Sequence, residues 1–300
     1  MASAQAWPAQ PVRIVVGYPA GIAPDIVARL VGQGLAERLG QPFIVDNRPG
    51  ASTNIATEFV AKSAADGSTL LLNAAANTIN SALYPALNFN FIRDFAPVAS
   101  IGDVIFLMVV NPTVPANTVP EFIAYAKANP GKINMASRGN GSLTHAFGEL
   151  FKMMAGVELV HVPYRGDYTA DLLGGQVQVA FLALADSIGY VKDGRLRALA
   201  LTTASRVAAL PDVPVMGEFL PGYEASGWLG IGAPKGTAAE IVAKLNDEIN
   251  AIITDPEMKT RLLAMGIEPT PMTTTAFGTF IAAETEKWAK VVKFADIKPD

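Results

Sequence analysis

Three hundred residues, half of them hydrophobic and 17% charged, carry enough apolar mass for a sizeable core, and at about 150 residues per domain the length points to two domains. Lysines and arginines number 23 against 27 aspartates and glutamates, a formal net charge of −4, which excludes a nucleic-acid binder and a basic membrane-surface helix. With no cysteine and only His145 and His161, disulfides, thiolate chemistry and an all-histidine metal cage are excluded, and no cofactor is expected.

In chain order, Ala4-Gln5-Ala6 carries the small-residue pattern of a signal-peptidase cut with no apolar segment before it. The expectation is an exported protein that begins near its mature start, with an added Met1. Val12 to Val16 is a β-branched run ending in the turn cluster Gly17 to Gly21, and Ile26, Val27, Leu30, Val31 and Leu35 then recur at helical spacing up to Gly40. Asp25 stands where an N-cap is expected. A strand at 43–45, a loop at 46–50, a helix at 55–63 and a strand at 69–72 continue an alternation that predicts parallel sheets of the α/β class. The fully apolar run 104–110 falls well short of the roughly 18 residues of a membrane span. After it, Asn111-Pro112 and the 115–120 segment read as a first crossing between domains. Further strands are expected at 133–136, 159–162, 177–181 and 196–201. A return strand follows at 228–234, then helices at 238–254, 256–265 and 276–293.

Enzyme signatures are absent. There is no Gly-x-Ser-x-Gly elbow and no phosphate-binding P-loop, and the run from Gly139 to Thr144 ends in threonine where a dinucleotide fingerprint needs glycine or alanine. Ser142 and His145 stand three apart without an acid to orient the imidazole, so a Ser/His hydrolase ranks below a capping serine and a packing histidine. What recurs is a strand, a small-residue loop and a helix start. The three instances are Tyr18, Pro19, Ala20, Gly21, Ile22 and Asp25; Ala74 to Thr78 with Ala75 and Asn77; and Ser137, Arg138, Gly139, Asn140, Gly141 and Ser142. Helix starts present unpaired N–H groups and a partial positive charge, a place for a carboxylate that requires no lysine.

The segments Pro19-Ala20-Gly21 with Asp25, Asp46 to Ala51, Asp66 to Leu71, Asp94 to Val98, Glu121 to Lys132, Ser137 to Ser142 with His145, His161 to Gly166, Asp171 to Val177, Leu210 to Pro214 and Ala233 to Thr237 occur together and in order. In these the chain resembles the periplasmic solute receptors of tripartite tricarboxylate transporters, the Bug family, from about Pro11 to the C-terminus. The resemblance implies a two-lobed, Venus-flytrap, type II-like periplasmic-binding fold with two interdomain crossings. Its domains would be 7–104 plus 230–300 and 105–229, with a carboxylate-bearing ligand enclosed between them. It also implies a monomer in the periplasm, one large and one small integral membrane subunit as partners, and ligand contacts from the loops containing Tyr18 to Asp25, Ser137 to Ser142 and Tyr164-Arg165. A receptor for a signalling system is the alternative.

Several positions depart from the family's pattern. Ile22 stands where a second glycine is usual, Ser52-Thr53 replace paired glycines, Leu182 replaces an aspartate, and Asp167 to Ala170 fill a shortened stretch. Ile22, Tyr168 and Leu182 in the cleft would favour a longer dicarboxylate or an aromatic acid over an amino acid. The alternative is that Ile22 and Leu182 turn into the lobe cores. Arg165 could offer a carboxylate a two-pronged contact or point to solvent. Arg48 is expected to order its loop and Trp228 to sit at the hinge or in a core.

Overall fold

The structure is a computed structural model, and it describes residues 7–299. The export pattern at residues 4–6 lies outside the described residues. Two compact units make up the chain: Met1–Asp103 with Trp228–Glu286, and Val104–Gly227 with Lys287–Asp300.

The first unit begins with strand β1 (Val12–Val16), whose Val12, Ile14, Val15 and Val16 are buried. Helix α1 (Ala23–Leu39) follows and packs Val27, Ala28, Val31 and Leu35 inward, ending where Gly40 adopts a left-handed φ of 73° and caps Ala36 O. Next come β2 (Phe43–Asn47), α2 (Asn54–Ala61), β3 (Thr69–Ala74), α3 (Ala75–Leu83) and β4 (Phe95–Val104).

In the second unit, β5 (Phe106–Val110) is followed by α4 (Val119–Ala128), β6 (Asn134–Ser137), α5 (Leu143–Ala155), β7 (Val160–Pro163), α6 (Thr169–Gly174), β8 (Val179–Ala183), α7 (Leu184–Lys192) and β9 (Arg197–Leu201). The chain then supplies β10 (Leu229–Pro234), α8 (Ala239–Thr254), α9 (Pro256–Ala264), β11 (Ile267–Pro269) and α10 (Thr274–Phe294).

Strand order in the first sheet is β11-β4-β10-β3-β1-β2, and in the second β7-β6-β8-β5-β9. Strands β2 and β3 both run parallel to β1, with Val16 opposite Asn47 and Leu72, so the loops after all three leave from one edge. In the second sheet β6 is parallel to β7 and β8, pairing Ser137 with Pro163 and Ala136 with Ala180. The loops 138–142 and 164–168 therefore also share an edge. Ligands of open α/β sheets gather at such edges.

Two expectations change. The 111–120 segment is no crossing: it lies inside the second unit and leads into α4, whose N-cap is Thr118. The chain passes instead at Asp103/Val104, because β5 is buried along its whole length between β8 and β9. The tail 287–300, expected with the first lobe, groups with the second unit. There Trp288 stacks on Phe147 at 5.6 Å and Lys287 Nζ donates to Glu224 O at 2.8 Å.

Candidate functional site

In the first unit, the loop 18–22 is held from beneath by one carboxylate. Asp25 is only 2% exposed. It is not the N-cap of α1; that place belongs to Ile22, which makes no side-chain cap. From the first turn Asp25 reaches back, its Oδ2 accepting the Gly21 N–H at 2.8 Å and Arg29 Nε at 3.1 Å, its Oδ1 accepting Asn47 Nδ2 at 2.9 Å. Burial alone would raise this carboxyl, but the bonds from Arg29, Gly21 and Asn47 outweigh it and hold the group below its ordinary value. Asn47 also donates to Tyr18 O at 3.1 Å, fixing the far end of the loop. Pro19, Ala20, Gly21 and Ile22 are exposed, Ile22 at 44%, while burial pushes the Tyr18 hydroxyl up to about 12. With the Gly21 amide occupied and Pro24 lacking one, the Ala23 and Asp25 amides are those of the first turn left without intrahelical acceptors.

The neighbouring turn explains the Ser52-Thr53 departure. Ala51, Ser52 and Thr53 have φ of 45°, 51° and 78°, the left-handed region that glycine occupies without strain. Side chains hold it there. Asn80 Nδ2 donates to Ser52 O, Thr57 Oγ1 donates to Thr53 O at 3.0 Å, and Asn77 Nδ2 donates to Thr57 Oγ1 at 2.8 Å and Thr53 Oγ1 at 3.3 Å. Thr53 lies so close to Gly17 that a Cβ there would meet Thr53 Cβ at 2.7 Å. Arg48 orders its loop as expected, donating to Asp46 at 2.9 Å and lying 3.6 Å over the Phe59 ring. Trp228 is fully buried, edge-on to Phe277 and Phe280.

The second expected anion loop, Ala74 to Thr78, is partly used up by the fold. Asn77 Oδ1 accepts the Ala74 N–H at 2.8 Å and the Ala75 N–H donates to Trp228 O at 3.2 Å. Both amides and the Asn77 side chain are thereby committed inside the fold.

In the second unit, the loop 138–142 bends through Gly139 and Gly141, with φ of 106° and 69°. Its amides are largely used up. Arg138 N–H donates to Thr144 Oγ1, Gly139 N–H to Ser137 Oγ, Gly141 N–H to His145 Nδ1 and Ser142 N–H to Gly139 O. Ser142 caps α5 by accepting the His145 backbone N–H, while its hydroxyl donates to Gly139 O at 2.7 Å. That leaves the Leu143 and Thr144 amides as the open donors of this helix start. The Ser142 hydroxyl thus makes no bond to the imidazole of His145, whose Nδ1 serves the loop.

Tyr164 donates its hydroxyl to Asp171 Oδ2 at 2.7 Å, which raises its pKa and keeps it protonated, and Arg165 beside it is exposed. Tyr168 and Leu182, expected to line a cleft, are 2% and 3% exposed and belong to the apolar core of this unit with Leu107, Leu172 and Leu201. The apolar departures therefore separate, and Ile22 alone stays open. Asn140 lies on the exposed part of the loop. Asn47, Arg29, Thr53 and Asn80, which hold these loops, carry no residue-type signal in the sequence; of the four, Asn47 falls in a segment that carries the resemblance, Asp46 to Ala51. Among the described residues no cluster of three or more metal-ligating side chains occurs.

Residues 27–297 match the family described as "Tripartite tricarboxylate transporter family receptor". The chain belongs to this family. It is 36% identical over 296 residues to Protein BugT of Bordetella pertussis, covering 97% of this chain and 91% of BugT. Among solved structures, Rpa4515 of R. palustris with adipate is 36% identical, with a TM-score of 0.81 over 98% of this chain and 100% of that one. MatC of Rhodopseudomonas palustris with bound malate is 30% identical, with a TM-score of 0.77 over 95% and 100%. The two-lobed α/β fold of periplasmic solute-binding proteins is thereby established, and the family is one of receptors, not catalysts. No helix among the described residues is long and apolar enough to cross a membrane.

Proposed function

We propose that this chain is a periplasmic receptor that captures a carboxylate-bearing solute and delivers it to the membrane subunits of a tripartite tricarboxylate-type transporter. The observation that carries the reading is the loop 18–22. Asp25 and Asn47 fix both its ends, so the α1 amides stay presented while Ile22 stays open beside them. A carboxylate fits this helix start because it supplies the charge that the helix end attracts. In the second unit, the loop 138–142 and Arg165 are the groups open to a carboxylate.

A longer, amine-free dicarboxylate or an aromatic acid is the favoured class. Ile22, 44% exposed, adds open apolar surface where glycine is usual. The adipate held by Rpa4515 and the malate held by MatC belong to the same broad class. Thermal-shift measurements against adipate, malate, benzoate, aspartate and glutamate test it. A ligand at a hundredfold excess over its Kd adds about 2.7 kcal/mol of apparent stability. Stabilisation by the amine-free acids is the expected result, and aspartate or glutamate outcompeting all of them refutes the ligand class.

A further inference from the structure

We propose that His145 is a positioning residue for the loop 138–142, and that its protonation loosens this loop and with it ligand capture. The inference rests on the functional reading of that loop given above, but its structural half stands without any ligand.

The two histidines of the chain are stacked face to face, ring centroids 3.6 Å apart and planes within 6°. Each ring is tied to one end of the same loop. His145 Nδ1 lies 3.1 Å from the Gly141 N, and because a backbone amide only donates, Nδ1 must be the unprotonated, accepting nitrogen. The ring proton of the neutral form is therefore on Nε2, which faces Glu149 Oε1 at 3.5 Å. His161 Nε2 lies 2.6 Å from Ser137 Oγ, and that same hydroxyl oxygen accepts the Gly139 N–H at 3.2 Å. Gly139 and Gly141 are the two positions where the loop takes its left-handed turns. The imidazole pair thus fixes the loop at its bends.

Helices α4 and α10 touch α5 at Phe151 and Phe147. The first carries Glu121, Tyr125 and Lys127, the second Glu284, Glu286, Lys287 and Lys290. Tyr168 bonds to Thr144, the residue before His145. From β7 His145 meets His161; from its own helix it meets Glu149 and, through Glu149, Lys152 Nζ at 2.8 Å. Strands β6 and β8, which also pack on α5, bring no titratable side chain. Tyr223 reaches α5 at Phe147 O and not at the ring. Burial would raise the Glu149 carboxyl, but His145 and Lys152 together hold it below the ordinary value, so it stays ionised. A carboxylate on the Nε2 side accommodates a charged ring, and a proton gained there by His145 goes onto Nδ1. That nitrogen then becomes a second donor pointed at the Gly141 N–H, and the bond that holds the loop is replaced by a repulsive contact. Loop and helix start would then part at Gly141, one residue before the cap Ser142.

Amide spectra of the full chain labelled at glycine nitrogen test this without ligand. The Gly141 resonance should move when the ring of His145 gains its proton, over a pH series from 8 to 5. In His145→Asn, whose side-chain oxygen can stand at the Nδ1 position and accept the Gly141 N–H without titrating, it should hold one position at every pH. In His145→Gln, whose oxygen lies out toward Nε2, it should be displaced at every pH. A Gly141 resonance that ignores pH in the wild type, or one displaced equally in both variants, overturns the proposal. The wild-type pH series decides even where a variant does not fold. Calorimetric titration with adipate over the same pH series then reads the consequence: its affinity should fall about threefold as the Gly141 resonance moves, and not in His145→Asn. An equal fall in both proteins overturns the link to capture. Adipate that fails to bind while the Gly141 resonance behaves as expected refutes the ligand choice and leaves the positioning role standing.

Discussion

Removing the Asp25 carboxylate should unfasten the loop 18–22 and destabilise the first unit together. In Asp25→Ala the Gly21 N–H, Asn47 Nδ2 and Arg29 Nε all lose their acceptor, at a site only 2% exposed. A hydrogen bond to an ionised group contributes about 1.5–3 kcal/mol, but groups sharing one carboxylate do not add. Arg29 is more than half exposed, at 53%, so its share is screened by solvent. The expected loss is about 3 kcal/mol, or roughly 6–12 °C in Tm for a cooperative unit of this size. Its pH dependence has a definite sign. The folded-state pKa is depressed, so the contribution is complete above the unfolded value near 4 and disappears as pH falls through the lower folded value. Urea denaturation of wild type and Asp25→Ala, followed by circular dichroism from neutral pH downward, should show a gap that is constant above pH 4 and closes below it. A gap under about 0.5 kcal/mol at neutral pH, the range of ordinary surface changes, refutes the reasoning. So does a gap that persists unchanged at the lowest pH.

Ser52→Gly should stabilise the chain by about 0.5–1 kcal/mol in the same denaturation assay, since it relieves a φ of 51° and gives up only the exposed 3.3 Å contact with Tyr84 OH. Gly230→Ala should cost about 1–3 kcal/mol, because its Cβ would stand 2.3 Å from Phe277 Cζ and 2.8 Å from Ala99 O, the second of which is backbone. Ultraviolet titration should leave at least three of the seven tyrosines protonated at pH 11. Burial raises Tyr18 and Tyr168 to about 12 and Tyr223 further. Their contribution is present below pH 10 and is lost as pH rises through the folded values, so the chain should unfold in strong alkali as they ionise.

How far the sequence carries the fold depends on whether an element has a period. Helix α1 is legible because one of its faces is wet: Val27, Val31 and Leu35 recur, polar residues intervene, and Gly40 ends it. The break at Ile105 is illegible, since an apolar run buried on both faces reads as one strand whether or not the chain turns between β4 and β5. The site divides in the same way. Small residues and helix starts mark where an anion could be received, and loops 18–22 and 138–142 do lead into the starts of α1 and α5. Which amides remain open is decided by side chains that no local pattern connects to the loop. Asn47 acts on Tyr18 across 29 positions, and Asn77 acts on Thr53 across 24. The glycine pair shows what such partners accomplish. Ser52 and Thr53 keep the left-handed turn without glycine because Asn77, Asn80 and Thr57 hold it. A left-handed turn can thus be kept by side-chain bonds in place of glycine. What the internal bonds leave over is, in the first unit, the first-turn amides of α1 and the exposed Ile22, and in the second, the first-turn amides of α5 and Arg165. Under the proposed function these are the groups whose substitution should alter selectivity.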